Sequence, residues 1–367
     1  MERSAESLHA LATPALLLDL DILERNIARM AQRAAELGVR LRPHVKTHKC
    51  PEIGALQRDA GATGITVATL HEAAAFAERG FDDVTWAFPL ILSRLDEALS
   101  LARRIRLGLL IDSQEALDAL AARACEGPPV RVWLKVDCGY HRAGVDPNSD
   151  GLVGLAGGIA AAPGLQFAGI LTHSGHAYHA FGEAARRAVA DQERNVMVAA
   201  AGRLRDAGIE VPEVSVGSTP AMTAVQSLFG VSEMRPGNYA FFDYTQCALG
   251  SCSTADVAVS VLASVVSRMA EHSVIDAGAL AMSKDIGPER EGAATGPIYR
   301  EGSNDIDPDL RLQSLSQEHG IVNRPLPVGT RLRVMPNHSC LTVACFDEYQ
   351  VVRNGAVIDR WRIHRGR

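Results

Sequence analysis

From Arg40 to Arg235 the sequence alternates short apolar runs with amphipathic ones, and it does so eight times. The strand-like runs are RLRPHV, GITVAT, DVTWAF, RLGLLID, VRVWLKV, QFAGILTH, EVSVG and the block around Glu233. Helix-like blocks separate them, near Ile53 to Arg58, Glu72 to Glu78 and Leu95 to Arg103, after Ser113, after Ser149, and from about Glu183 to Leu204. Strands separated by helical blocks point to a parallel sheet, because parallel neighbours need a long crossover, usually a helix. Eight such units predict closure into a TIM-type (β/α)8 barrel rather than an open sheet, and no G-x-G-x-x-G follows the first strand.

Upstream, Ala15 to Leu18 is a short apolar strand candidate. Asp21, with Glu24 three residues on, reads as a helix start whose inward stripe is Ile27, Met30, Ala31 and Ala34, and Gly38 is expected to close that helix. After about Thr245 the pattern changes: VAVSVLASVV, HSVIDAG, TRLRVMP and YQVVRNGAVIDRW read as strands joined by turns. The stretch from Ala281 to Pro327, rich in Gly, Pro, Asp and Ser, reads as long loops. The expected fold is thus α/β, with residues 1–20 joining a β-rich C-terminal domain, 21–245 forming the barrel and 246–367 forming the β-rich domain.

A formal charge of -6 offers no clustered basic surface for nucleic acid or an anionic membrane, so a small molecule is the expected partner. Seven cysteines, an odd number without regular spacing, do not form the framework of a secreted disulfide scaffold, and a reducing cytoplasm is expected. No segment reaches the ~18 apolar residues of a membrane span, and the N-terminus lacks a basic head and clean apolar run, so an unprocessed chain is expected.

The sharpest local feature is PHVKTHK, Pro43 to Lys49, at the end of the first barrel strand. Barrel active sites lie at the C-terminal strand ends, and a lysine with a lowered pKa can form a Schiff base with a carbonyl cofactor. Spacing alone favours a solvated basic turn for Lys46. GSTP at Gly217 to Pro220 and RPGNY at Arg235 to Tyr239 follow the seventh and eighth strands, where barrels often bind phosphate; ordinary turn chemistry explains either motif taken singly. The fifth and sixth strand ends carry Asp137, His141 and Arg142, then His173, His176 and His179. The histidines suggest proton transfer or metal binding, with a solvated His-rich loop as the alternative, and Arg142 reads as an anion holder or as a surface ion pair. PNHSC places His338 and Cys340 two apart, on one face if the segment is a strand. Imidazole with thiolate favours zinc, although two ligands fall short of the usual three, so spacing alone favours a structural histidine and a buried cysteine.

Taken together these motifs resemble the alanine-racemase-like, fold-type III pyridoxal-phosphate enzymes, and within them the D-serine dehydratase and D-threonine aldolase group. The resemblance spans nearly the whole chain: TPALLLDLD before the first helix, RPHVKTHK, CGYHRAGV, and a terminal H-x-C motif. It implies Lys46 as the cofactor lysine and catalytic base, with Gly217, Ser218, Thr219, Gly237, Asn238 and Tyr239 around the phosphate of pyridoxal 5'-phosphate. It implies Arg142 beside the cofactor ring, and His173 at a position where some relatives have a tyrosine.

The group's aldolases often show an HCDPT-like stretch, with histidine and aspartate as ligands, whereas PNHSC matches the histidine-plus-cysteine pattern of the dehydratases. The SQEHG segment at Ser316 to Gly320 is common to both. The resemblance therefore implies Zn2+ on His338 and Cys340, and loss of the β-hydroxyl from a small D-3-hydroxy amino acid to give a 2-keto acid and ammonia. The alternative is aldolase-type cleavage to glycine and an aldehyde, with His179 as base and Mn2+ or Mg2+ as metal. An amino-acid racemase and a non-catalytic cofactor-binding protein are the remaining rivals; the latter generally lack a β-rich C-terminal third. A homodimer is expected from the family.

Overall fold

The structure is a computed structural model that describes residues 6–124, 127–285, 287, 296–300 and 302–366. They form two compact units. One comprises Met30–Lys46, Ile53–Gly237 and Gly366; the other comprises the described residues up to Arg29, together with Thr47–Glu52 and Asn238–Arg365.

In the first unit, eight parallel strands follow one another in chain order: Arg40–Leu41, Ile65–Val67, Asp83–Pro89, Arg106–Ile111, Val130–Lys135, Leu165–Leu171, Val214–Val216 and Glu233–Met234. The eighth pairs with the first, Glu233 opposite Arg40. A parallel bridge between His44 and Thr66 links the first to the second, so the sheet returns on itself as the alternating pattern requires. Local signals set the intervening helices. Thr69 accepts the Glu72 N–H at 3.1 Å ahead of Leu70–Ala77, and Glu72 reaches back to the Ala68 N–H at 2.7 Å. Ser113 caps Gln114–Arg123 through the Ala116 N–H.

One helix boundary differs from expectation. The first long helix spans Leu20–Glu36, and Asp19 rather than Asp21 caps it, accepting the Ile22 N–H at 3.0 Å. Asp21 lies inside the first turn, where an acidic residue also suits the helix dipole, so the two positions look alike in sequence. Ile27, Met30 and Ala34 are buried, Ala31 partly so, and Gly38 follows the helix at φ +68°.

The barrel interior holds a charged chain as well as apolar side chains. Arg42 Nε donates to Glu233 Oε2 at 2.9 Å and its Nη1 to Asp83 Oδ1 at 2.8 Å, a carboxylate shared with Arg131. Glu233 accepts from Ser215 Oγ at 2.6 Å, and Ser215 in turn accepts from Arg235 Nε at 2.7 Å. Although burial works against its charge, Glu233 and Asp83 hold Arg42 more firmly protonated than usual. Gly64 leaves the room this needs, since a Cβ there would lie 2.2 Å from Arg42 Nη1.

The second unit is built on a ten-stranded sheet. Strand Ala15–Asp19 lies between Val259–Arg268, antiparallel, and Glu348–Arg353, parallel. Val259–Arg268 also pairs with Ser273–Ile275 and Arg331–Val334, and Glu348–Arg353 forms a hairpin with Ala356–Arg362. The stretch expected as long loops contains strands Pro297–Tyr299, Ile306–Leu315 and Gly320–Val322, while residues 286, 288–295 and 301 lie outside the described residues. Ile306–Leu315 escaped notice because Leu312 is its one buried residue, so no alternating apolar face marks it. Among the described residues no helix is long and apolar enough to cross a membrane.

Replacing Arg42 by Met strands the fully buried Glu233 without its cation, and is expected to cost about 3–5 kcal/mol of stability in denaturant unfolding. A loss within experimental error would show that the charged chain does not hold the barrel.

Candidate functional site

In the barrel unit, the first strand's pairing ends at His44, and residues Val45–Thr47 make a single 3-10 turn. The Lys46 N–H donates to His44 Nδ1 at 3.4 Å, and Lys46 is partly exposed. Across the same unit stand Lys135, at the end of the fifth strand, and Arg235, just after the eighth. Burial first, then the charges of Arg235 and Arg142, bring Lys135 down to about 8. Burial likewise brings Arg235 down to about 10. Arg142 is exposed and stacks on Tyr140, its Cζ 5.1 Å from the ring centroid, rather than pairing with a carboxylate among the described residues.

His173 lies within the field of all four cations. Burial, and then Lys46, Arg142, Arg235 and Lys135, hold its imidazole well below the usual histidine range, so the ring is neutral near pH 7. Its Nδ1 lies 3.4 Å from the Gly217 carbonyl, which can only accept; Nδ1 therefore carries the proton and Nε2 keeps its lone pair. A neutral ring among four cations suits a ligand that brings several negative charges.

The neighbouring groups divide into other tasks. Asp137 accepts the Gly139 and His141 N–H groups at 3.0 Å each and His141 Nδ1 at 2.8 Å, and despite burial these bonds hold its carboxyl below the usual range. This pair pins a loop in which His141 takes φ +57°. His176 rests against Tyr140, ring centroids 6.1 Å apart, and both its ring nitrogens are buried without a partner among the described residues. His179 is exposed on the turn Gly175–His179. The three histidines therefore do not converge, and no cluster of three or more metal-binding side chains occurs among the described residues.

Gly217, Ser218 and Thr219 follow the seventh strand. Gly217 has φ +120°, and a Cβ there would lie 3.1 Å from the Arg235 N atom, so only glycine leaves this corner open. Ser218 and Thr219 are buried, with Ser218 Oγ 3.3 Å from Ser174 Oγ. Small hydroxyls beside an open glycine corner fit a phosphate group. Gly237 ends this unit, and Asn238 and Tyr239 continue the chain in the other.

In the β-rich unit His338 and Cys340 do not lie on a strand. His338 is the N-terminal flanking residue of a short helix, Ser339–Val343, and the hydrogen bond between the two side chains replaces the expected same-face strand geometry. The reason lies in Asp243: it accepts the Ser339 N–H at 3.0 Å and the Gln246 N–H at 2.9 Å, turning the chain at PNHSC into a helix. His338 Nδ1 lies 3.1 Å from Asp285 Oδ2, and Cys340 Sγ lies 3.3 Å from Thr47 Oγ1. Burial lowers the His338 pKa, but Cys340 and Asp285 outweigh it and hold it up to about 11. An imidazole oriented by a carboxylate, beside a thiol, is a donor set that fits zinc. Asn238 Nδ2 is committed to Asp243 at 2.6 Å and Ser339 at 3.0 Å, while its buried Oδ1 has no partner among the described residues. Tyr239 is fully buried.

Lys135, Glu193, Asp243 and Asp285 were not singled out from sequence, and Arg235 and Thr47 entered only as members of RPGNY and PHVKTHK. Asp285 stands 53 residues before its histidine, and no local motif joins the two. Lys135 did carry a signal, as a lysine ending a largely apolar strand, VRVWLK.

Residues 18–245 match the family model "Alanine racemase, N-terminal domain", and residues 258–352 the "Putative serine dehydratase domain". D-threo-3-hydroxyaspartate dehydratase from Delftia sp. (strain HT23) is 42% identical, covering 98% of this chain and 99% of that one. A solved structure of that dehydratase, a cysteine-to-alanine mutant in the metal-free form, superposes with a TM-score of 0.94 at 40% identity, over 98% of this chain and 99% of the other. D-serine dehydratase from Dictyostelium discoideum is 35% identical over 96% of each chain, and D-threonine aldolase from Arthrobacter sp is 31% identical over 96% of this chain and 92% of its own.

NMR titration of cofactor-free protein is expected to show no protonation of His173 through the ordinary histidine range near ~6.5. The unfolded chain binds that proton and the folded one does not, so His173 withdraws stability as pH falls through this range and not above it. An ordinary titration midpoint would contradict the neutral ring.

Proposed function

The chain belongs to the fold-type III, alanine-racemase-like pyridoxal-phosphate enzymes, in the group whose C-terminal part is a serine dehydratase domain, and from that membership we propose that it is a pyridoxal-phosphate- and zinc-dependent lyase. Its reaction eliminates the β-hydroxyl of a small D-3-hydroxy amino acid, giving a 2-keto acid and ammonia. The observation that carries this reading is the His338 and Cys340 pair with Asp285 behind it. A racemase has no use for a metal at a β-hydroxyl, and a non-catalytic cofactor carrier has no use for one at all.

When bound, pyridoxal phosphate supplies an electron sink for the Cα carbanion, and zinc a Lewis acid for the β-oxygen. Lys46 would hold the cofactor through Nζ, and the same atom would serve as base for the substrate's Cα proton. Ser218 and Thr219 bind the phosphate beside Gly217 and Gly237, with Asn238 and Tyr239 following. Arg142 would lie beside the cofactor ring, and Lys135 and Arg235 supply buried positive charge. His173 offers the Nε2 lone pair of a neutral ring and so adds no further charge to the four cations around it. In the other unit, Asp285 orients His338, and Thr47 bonds Cys340.

Cysteine rather than aspartate at 340 supports elimination over retro-aldol cleavage, as does 42% identity to a dehydratase against 31% to an aldolase. In the aldolase reading, His179 removes the hydroxyl proton and Mn2+ or Mg2+ replaces zinc; its side chain is exposed on the turn Gly175–His179. A homodimer working in the cytoplasm completes the proposal.

Protein loaded with pyridoxal phosphate and zinc is expected to convert D-serine, D-threonine or D-3-hydroxyaspartate to keto acid and ammonia in equal amounts. Glycine with an aldehyde would instead make it an aldolase. Cys340→Ala should lose bound zinc and elimination together, and full activity after verified metal removal would rule out the metal's role.

A further inference from the structure

Glu193, on the helix Glu183–Asp206, is fully buried, yet nothing in the proposed reaction uses it. The sixth and seventh barrel strands pair through Leu171 opposite Ser215, and their last ladder bond runs from the Thr172 N–H to the Ser215 carbonyl at 3.1 Å. Beyond it, the N–H groups of Ser174 and Gly217 are left as buried donors that cannot bond each other. Glu193 Oε1 accepts both, at 3.0 Å each, while Oε2 has no partner among the described residues. Ser174 directly follows His173, and Gly217 directly precedes Ser218.

We propose that Glu193 is a positioning residue of the cofactor pocket: one carboxyl oxygen clamps the loop carrying His173 to the loop that receives the phosphate, and so fixes their separation. This rests on the assignment of residues 217–219 to the phosphate. Burial pushes the Glu193 carboxyl upward, further than the Gly217 and Ser174 bonds and the Arg235 charge pull it down. A neutral carboxyl and a primary amide have the same shape and the same accepting oxygen, so glutamine is the conservative replacement.

The test compares pyridoxal with pyridoxal phosphate, which differ only in the phosphate, by titrating each into cofactor-free protein and taking the ratio of dissociation constants. Glu193→Ala, and Glu193→Asp, which is one methylene too short to reach both N–H groups, are expected to shrink that ratio about tenfold, and Glu193→Gln to recover it to within about threefold of wild type. A role confined to stability would weaken both ligands alike and leave the ratio unchanged. Circular dichroism verifies folding, and Glu193→Asp, which keeps a carboxyl in the cavity, decides the matter if Glu193→Ala does not fold. A folded Asp or Ala variant with the wild-type ratio, or a Gln variant as impaired as Ala, would overturn the clamp. Wild-type protein that binds pyridoxal phosphate no better than pyridoxal would overturn the phosphate assignment itself, and the clamp with it.

Discussion

The main-chain bond from the Thr66 N–H to the Pro43 carbonyl, 2.8 Å long, closes the eight-stranded parallel sheet. On the other side of the same strand, the His44 N–H donates to the Pro236 carbonyl at 3.0 Å. Held from both sides, the strand releases the chain two residues before Lys46, at the C-terminal mouth where a parallel barrel collects its strand ends. The same closure brings Lys135, His173, Gly217 and Arg235 into one unit, although the outermost of them, Lys135 and Arg235, are a hundred residues apart in sequence.

Assembling four cations around a neutral histidine is unfavourable in itself, since like charges repel, and burial adds to the cost at Lys135 and Arg235. The lowered pKa values of Lys135 and Arg235 report that cost. Glu233, and Ser215 behind it, offset part of it for Arg235. A phosphate, a phenolate and a substrate carboxylate would offset the rest, so the barrel unit has the electrostatics of a host for an anionic cofactor. The β-rich unit has the opposite character: although burial works against it, Cys340, Asp285 and Asp243 favour positive charge at the His338 imidazole.

What the sequence discloses and what it hides divide along the range of the interaction. The eight βα units were legible because each strand and helix carries its own period, and the position of PHVKTHK at the end of the first barrel strand followed from them. PNHSC misleads locally: its fold is decided by Asp243, almost a hundred residues earlier, which captures the Ser339 N–H and converts an apparent strand into a helix start. The polar strand Ile306–Leu315 has no apolar face to announce it, and Asp285 and Glu193 act through residues far away in the chain. Positions whose partners lie in other elements leave no periodic trace.

The central claim is that Lys46, and not Lys135 with its lowered pKa, holds the cofactor. Lowered pKa alone would favour Lys135, but that residue is buried at a strand end among other cations, whereas Lys46 sits on a turn just beyond the barrel's closure and remains partly exposed. Borohydride reduction of pyridoxal-phosphate-loaded protein, followed by peptide mapping, separates the two directly. The account predicts a phosphopyridoxyl group on Lys46 alone; label on Lys135, or at both lysines equally, would contradict it.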